Sequence, residues 1–156
     1  MKSEEVRTLD RAITIATEAH AGQVKASEPY ILHPLRVMMD LETPAERIVG
    51  ILHDVVEKNP AWSLDVLRAQ GFSETVVSAV DSVTRRDGEN EETFIRRAAG
   101  NEIGRRVKQA DLNDNLKLMR QKEPCADDRE KMQKYQRANR ILKELSPPSG
   151  SSTAHR

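Results

Sequence analysis

Thr43-Pro44-Ala45-Glu46 marks a helix start more sharply than any other stretch of the chain. It has threonine at the cap, proline at the first helical position and glutamate three residues after the cap. The apolar run it opens, Ile48-Val49-Gly50-Ile51-Leu52, leads into His53-Asp54-Val55-Val56-Glu57-Lys58, and Asn59-Pro60 stops it. The sequence predicts one helix through Lys58, with His53, Asp54 and Glu57 in its last turn and a half, His53 and Glu57 on one side and Asp54 beside them. An unpaired carboxylate in such apolar company is costly, so something must hold the charge of Asp54.

With 156 residues, 37% of them hydrophobic, the chain suits one domain around one core. Lysine plus arginine equals aspartate plus glutamate at 25 each, so no global basic field exists to hold nucleic acid, and an anionic ligand must be bound locally. Cys125 is the only cysteine, which excludes an internal disulfide framework and a cysteine-rich zinc site and fits a reducing compartment. The amino terminus has no signal-peptide core, and no apolar run approaches the ~18–20 residues needed to span a bilayer. A soluble cytoplasmic protein without membrane or nucleic-acid partners is expected.

The rest of the chain reads as helices. Val6, Leu9, Ile13, Ala16 and His20 form a stripe on a first helix that should end near Gly22, with His20 as a core or supporting histidine. Residues 23–34 read as a loop, and Pro34 opens a short helix through Leu41, with His33 just before it. A short helix runs from Ser63 to Gln70. Another starts at Ser73, where Val76, Val77, Val80 and Val83 favour helix by spacing, although their β-branching leaves a strand as the alternative. After the polar turn Arg85–Asn90, Glu91 to Ala99 forms a helix carrying Phe94, Ile95 and Ala98. Arginines 85, 86, 96, 97, 105 and 106 either attract phosphates or belong to solvated faces.

Asn101-Glu102 opens the next helix, on which Asp111, Asp114 and Asn115 stand at i, i+3 and i+4. They can reach a common ion or ligand, or form a solvent-facing stripe. Asp127 to Leu145 makes the last helix, with Met132, Tyr135, Ala138, Leu142 and Leu145 as its buried side. Residues 146–156 lack core-forming content and should be disordered. The expected architecture is a compact all-α fold of seven to eight helices.

His33, the pair His53-Asp54 and Asp111 now stand out on three separate elements. Neutral imidazoles and carboxylates with open positions suit manganese, iron or zinc as the divalent ion. An ion held in that way lowers the pKa of a bound water and acts as a Lewis acid towards a phosphoryl oxygen, and Glu57 is placed to orient or deprotonate the water.

These residues sit in recognisable blocks: His20-Ala21-Gly22-Gln23, Glu28-Pro29-Tyr30-Ile31-Leu32-His33-Pro34, Ile51-Leu52-His53-Asp54-Val55-Val56-Glu57, Val80-Asp81-Ser82-Val83-Thr84 and Ala110-Asp111-Leu112-Asn113-Asp114-Asn115. From about His20 to Arg120 the sequence resembles the HD-type phosphohydrolases, and within them the hydrolase domain of RelA/SpoT-type proteins that degrade (p)ppGpp. The resemblance implies an HD-type domain over 1–145. It implies His33, His53, Asp54 and Asp111 as ligands of a metal, usually manganese, with Glu57 as the first acid of a catalytic pair. Lys25 and Asn115 match positions that contact the nucleotide. The chain departs from the pattern at Lys58, where the family has its second acid, at Val24 in place of arginine, and at Leu112 and Asp114.

The expected activity is release of pyrophosphate from a guanosine polyphosphate, with Lys25 and Lys58 holding distal phosphates. Two alternatives stay open. One is an HD-type nucleoside 5′-monophosphate phosphatase. The other, motivated by Lys58, is a nucleotide-sensing module with weak catalysis. Exposed arginine pairs also leave room for a homo-oligomer.

Overall fold

The structure, a computed structural model, describes residues 3–121 and 126–146. Cys125 and most of the expected disordered tail (147–156) lie outside the described residues, so neither reading is tested. The architecture is all-α, as the sequence predicts. Helix α1 (Ser3–Ala19) is followed by a two-stranded antiparallel hairpin, β1 (Val24–Lys25) and β2 (Glu28–Pro29), in which Val24 faces Pro29 and Lys25 faces Glu28. Then come α2 (Leu32–Met39), α3 (Pro44–Leu52), the single turn α4 (Val55–Lys58), α5 (Leu64–Ala69), α6 (Glu74–Ser82), α7 (Glu91–Ala99), α8 (Glu102–Gln121) and α9 (Ala126–Leu145).

The anticipated cap at Thr43 is present in full. Its hydroxyl accepts from the Glu46 amide, and the Glu46 carboxylate accepts from the Thr43 and Glu42 amides. Glu46 is itself buried and is met by Arg106 of α8 at 2.8 Å, which ties the start of α3 to its neighbour. Helix α3 is the hub, packed against α1, α2, α6 and α8. Val49, Ile51 and Leu52 are fully buried there, in one core with Val55 of α4, Ala12 and Ala16 of α1, Val37 of α2 and Val77 and Val80 of α6. A second cluster, Ile95, Ala99, Leu112, Ala138 and Leu142, fixes α9 on α7 and α8.

The single helix expected through Lys58 is interrupted. His53 ends α3 and Asp54, at φ −107° and ψ −2°, departs from helical geometry before α4 restarts the chain. The His53 side chain supplies the physical reason: its Nδ1 lies 2.7 Å from the Gly50 carbonyl oxygen and so competes for an acceptor that the helix ladder uses. Three smaller expectations are also corrected, and one open alternative is closed. His33 lies inside the first turn of α2 rather than before it. The loop over 23–34 contains the hairpin, which forms because Ala26 and Ser27 both take positive φ values. Val6 and Leu145 are exposed, because α1 buries Ala12, Ile15, Ala16 and Ala19 and α9 buries Ala138 and Leu142. The valine-rich segment after Ser73 is helix α6, its start capped by Ser73 accepting from the Val76 amide, which disposes of the strand alternative.

Five of the six arginines that could attract phosphates form ion pairs within the chain. Arg85 pairs with Glu91, Arg86 with Asp81, Arg96 with Glu92, Arg97 with Glu89 and Arg106 with Glu46.

Candidate metal centre

Three elements converge beside the end of α3. The first turn of α2 brings His33, the α3–α4 junction brings His53 and Asp54, and the middle of α8 brings Asp111. His33 Nε2 lies 2.9 Å from Asp111 Oδ1 and 3.8 Å from Asp54 Oδ2, and His53 Nε2 lies 3.4 and 3.3 Å from the same two oxygens. One donor atom each from His33, His53 and Asp54 falls within 4.8 Å of the others, a grouping able to hold a metal ion. The four nitrogen–oxygen separations run from 2.9 to 3.8 Å, so His33, His53, Asp54 and Asp111 would hold one small cation between them.

Hydrogen bonding on the far side of each ring fixes what faces inward. The Gly50 carbonyl can only accept, so His53 Nδ1 donates to it and Nε2 is left inward-facing, buried and without a hydrogen-bond partner. Asp114 Oδ2 lies 2.7 Å from His33 Nδ1 and fixes that ring in the same sense. Burial pushes the Asp114 carboxyl up, but its bonds to His33 and Arg36 prevail and bring it down to about 2, so it is an ionised acceptor. Two imidazole nitrogens thereby point at two carboxylate oxygens. Such a cluster requires positive charge at its centre: burial lowers the His53 pKa, yet Asp54 and Asp111 hold it well above the usual value. His33 is likewise raised by Asp111 and Asp114 against desolvation. Chemically the donor set fits a divalent cation with open positions.

A shell of side chains holds the four in place. Tyr30 donates its hydroxyl to Asp54 Oδ2 at 2.6 Å, and its ring stacks on His20 at 4.7 Å. His20 is buried and bonds Gln23, as the supporting role expected of it requires; Gln23 also donates to the Lys58 carbonyl and so ties α1 to the end of α4. Asn115 donates to Asp111 Oδ1 at 3.2 Å and Lys108 to Asp111 Oδ2 at 3.0 Å. Arg36 bridges Asp114 and Glu28.

Of the residues expected to meet substrate, Lys25 lies with its Nζ 5.7 Å from the centre of the Tyr30 ring. Glu57 and Lys58 are both exposed on α4, 3.9 Å apart, and the Arg85 amide approaches Glu57 Oε1 at 3.4 Å. Asn115 is buried against Asp111. Asp111, Asp114 and Asn115 do not meet at a common point: Asp111 faces both imidazoles, while Asp114 stands behind His33. A solvent-facing stripe is equally excluded, since all three are buried. Tyr30, Arg36 and Lys108 were not singled out from the sequence. The i, i+3 spacing of Lys108 and Asp111 was the available signal for one of them. A cleft of about 500 Å³ lined by His20, Gln23, Val24, Tyr30 and Ile31 opens beside this shell.

No protein-family model matches the chain. Among curated proteins it is 33% identical over 92 residues to the bifunctional (p)ppGpp synthase/hydrolase SpoT of Escherichia coli, covering 56% of this chain and 13% of that protein. It is 37% identical over 92 residues to a GTP pyrophosphokinase of Streptomyces coelicolor, covering 56% and 11%. It is 34% identical over 87 residues to the putative chloroplastic GTP diphosphokinase RSH1 of Arabidopsis thaliana, covering 53% and 10%. The match thus spans only about a tenth of the length of these relatives.

Proposed function

We propose that this chain, which carries a RelA/SpoT-like HD domain, is a divalent-metal-dependent phosphohydrolase that releases pyrophosphate from a guanosine polyphosphate such as (p)ppGpp. The observation that carries the reading is the convergence of His33, His53, Asp54 and Asp111 with one nitrogen or oxygen of each turned inward. The names of the similar proteins include both synthase and hydrolase activities. The donor set supports hydrolysis, because imidazoles and carboxylates around an open position suit the activation of water.

Manganese is the proposed ion, with iron or zinc as alternatives; when bound it supplies a Lewis acid and an acidified water. The protein's own residues do the remainder. Asp54 is oriented by the Tyr30 hydroxyl and Asp111 by Asn115, so the reacting groups meet a preorganised site. Glu57, one turn beyond the His53-Asp54 pair, takes the proton of the attacking water on its carboxylate. Lys25 and Lys58 offer ammonium groups to the distal phosphates, and the cleft beside Tyr30 takes the nucleoside.

The 3.9 Å approach of Lys58 to Glu57 favours a second reading, a nucleotide-sensing module in which the acid is occupied by its neighbour. Incubation with manganese and a panel of ppGpp and nucleoside 5′-monophosphates separates the readings. Pyrophosphate from ppGpp, abolished by Asp54→Ala and by Glu57→Ala, is the expected result. Phosphate from the monophosphates alone would instead indicate a nucleotidase, and nucleotide binding without turnover in the metal-loaded protein would indicate a sensor.

A further inference from the structure

Lys108 lies on α8 one turn before Asp111, and only 12% of its side chain is exposed. A lysine is rarely buried to this degree unless paired. Its Nζ sits 3.0 Å from Asp111 Oδ2 and 4.7 Å from the centre of the Phe94 ring on α7, so a carboxylate and an aromatic face hold the same ammonium. Phe94 is itself 3% exposed, and the guanidinium groups of Arg85 and Arg97 lie 4.8 and 5.7 Å from its centre, so the ring that Lys108 meets is buried among cations.

This pairing divides the two oxygens of Asp111. Oδ1 faces His33, His53 and Asn115, while Oδ2 is taken by the ammonium. A carboxylate can bind a cation through one oxygen or both. Binding through both would fill a coordination position that water or a phosphoryl oxygen needs. The charges lead to the same conclusion. Asp114 is offset by Arg36, so Asp54 and Asp111 are the anions of the centre and Lys108 cancels one of them.

We propose that Lys108 is a positioning residue of the metal centre, holding Asp111 to a single ligating oxygen and weakening the grip on the ion so that coordination positions stay open. The proposal rests on the metal-centre reading given above. It has an unusual sign. Removing a residue that merely supports the fold weakens metal binding or leaves it unchanged, whereas removing Lys108 tightens it, because a nearby positive charge is lost and Asp111 Oδ2 is freed.

The test uses the full chain, stripped of metal by a chelator, with Mn²⁺ as the probe. Calorimetry gives the affinity, and water-proton relaxation reports the exchangeable waters on the bound ion. Wild type and Asp54→Ala are measured first; if the wild type has no Mn²⁺ site that Asp54→Ala removes, the metal-centre reading itself fails. Given that site, Lys108→Met should bind Mn²⁺ on the order of tenfold more tightly with lower water relaxation, and Lys108→Arg, which keeps the charge, should stay close to wild type. Affinity at or below the wild type's in Lys108→Met, or unchanged water relaxation, overturns the proposal. Should the methionine variant not fold, Lys108→Gln removes the same charge, and its shorter side chain withdraws from Asp111 Oδ2, with the same expected tightening.

Discussion

Asp114 Oδ2 lies 2.7 Å from His33 Nδ1, on the ring edge opposite the one turned towards Asp54 and Asp111. Arg36 holds Asp114 from behind, with its Nε 2.7 Å from Oδ1. The chain guanidinium, carboxylate, imidazole therefore fixes which nitrogen of His33 faces the centre. Partners of this kind are worth about 10–100-fold in metal affinity. Asp114→Ala should lower Mn²⁺ affinity by that factor in calorimetry while far-UV circular dichroism stays that of the wild type.

Metal should also be visible as stability. An ion bound by the folded state and not by the unfolded chain stabilises by about 2.7 kcal/mol at a hundredfold excess over its Kd. Adding Mn²⁺ to the chelator-treated protein should raise Tm by several degrees, and Asp54→Ala or His53→Ala should abolish the rise. An equal rise in these variants would place the ion elsewhere.

The hairpin turn carries a local cost. Ala26 and Ser27 have φ values of 52° and 65°, a region that Asn and Gly tolerate better than other residues. Replacing the pair by Asn-Gly should stabilise the protein by about 1 kcal/mol, or roughly 2–4 °C in Tm. A lower Tm would mean that the Ala26 or Ser27 side chain contributes more than its backbone costs.

Glu89 gives a pH dependence whose sign can be worked out. Arg97 grips its carboxylate with two bonds of 2.8 and 2.9 Å, the Arg86 amide adds a third at 3.0 Å, and the pKa is brought down to about 2 from 4.5. The ionised form is the one the fold stabilises. Its contribution is complete above pH 4.5 and is lost as pH falls towards 2. Urea unfolding of Glu89→Gln should show reduced stability at pH 6 and a difference from wild type that shrinks by pH 3. An unchanged difference would remove the linkage.

Gly104 marks the close approach of α8 to α6 and α7. A Cβ there would lie 2.1 Å from Ser82 Oγ and 3.2 Å from the Ala98 carbonyl oxygen. Gly104→Ala should cost about 1–3 kcal/mol by overpacking, and combining it with Ser82→Ala should cost less than the sum of the two. Additive effects in denaturant unfolding would show that the Ser82 hydroxyl is not the obstacle.

The helix starts were legible because their causes are local. Thr43 with Glu46, Ser63 and Ser73 satisfy amides within three residues of themselves, so a short window of sequence contains the whole interaction. The amphipathic spacing that placed Val76, Val77 and Val80 on one buried face is equally local. The break between α3 and α4 was not legible, since it depends on a histidine side chain reaching back to the Gly50 carbonyl instead of continuing the ladder.

Sequence by itself determined that the chain is helical, where most helices begin, and that His33, His53, Asp54 and Asp111 are the residues to watch. Tertiary structure alone decided what their neighbours do. Asp111 and Asp114 look alike on one helix face, yet they sit against opposite edges of His33, 78 and 81 positions away in the chain. Lys108 reads as an ordinary helix cation until α7 brings Phe94 over it. The reason is physical: a side chain's role in a buried charged cluster is set by desolvation and by partners that only packing brings within a few ångströms, and neither has a signature in the local pattern of residues.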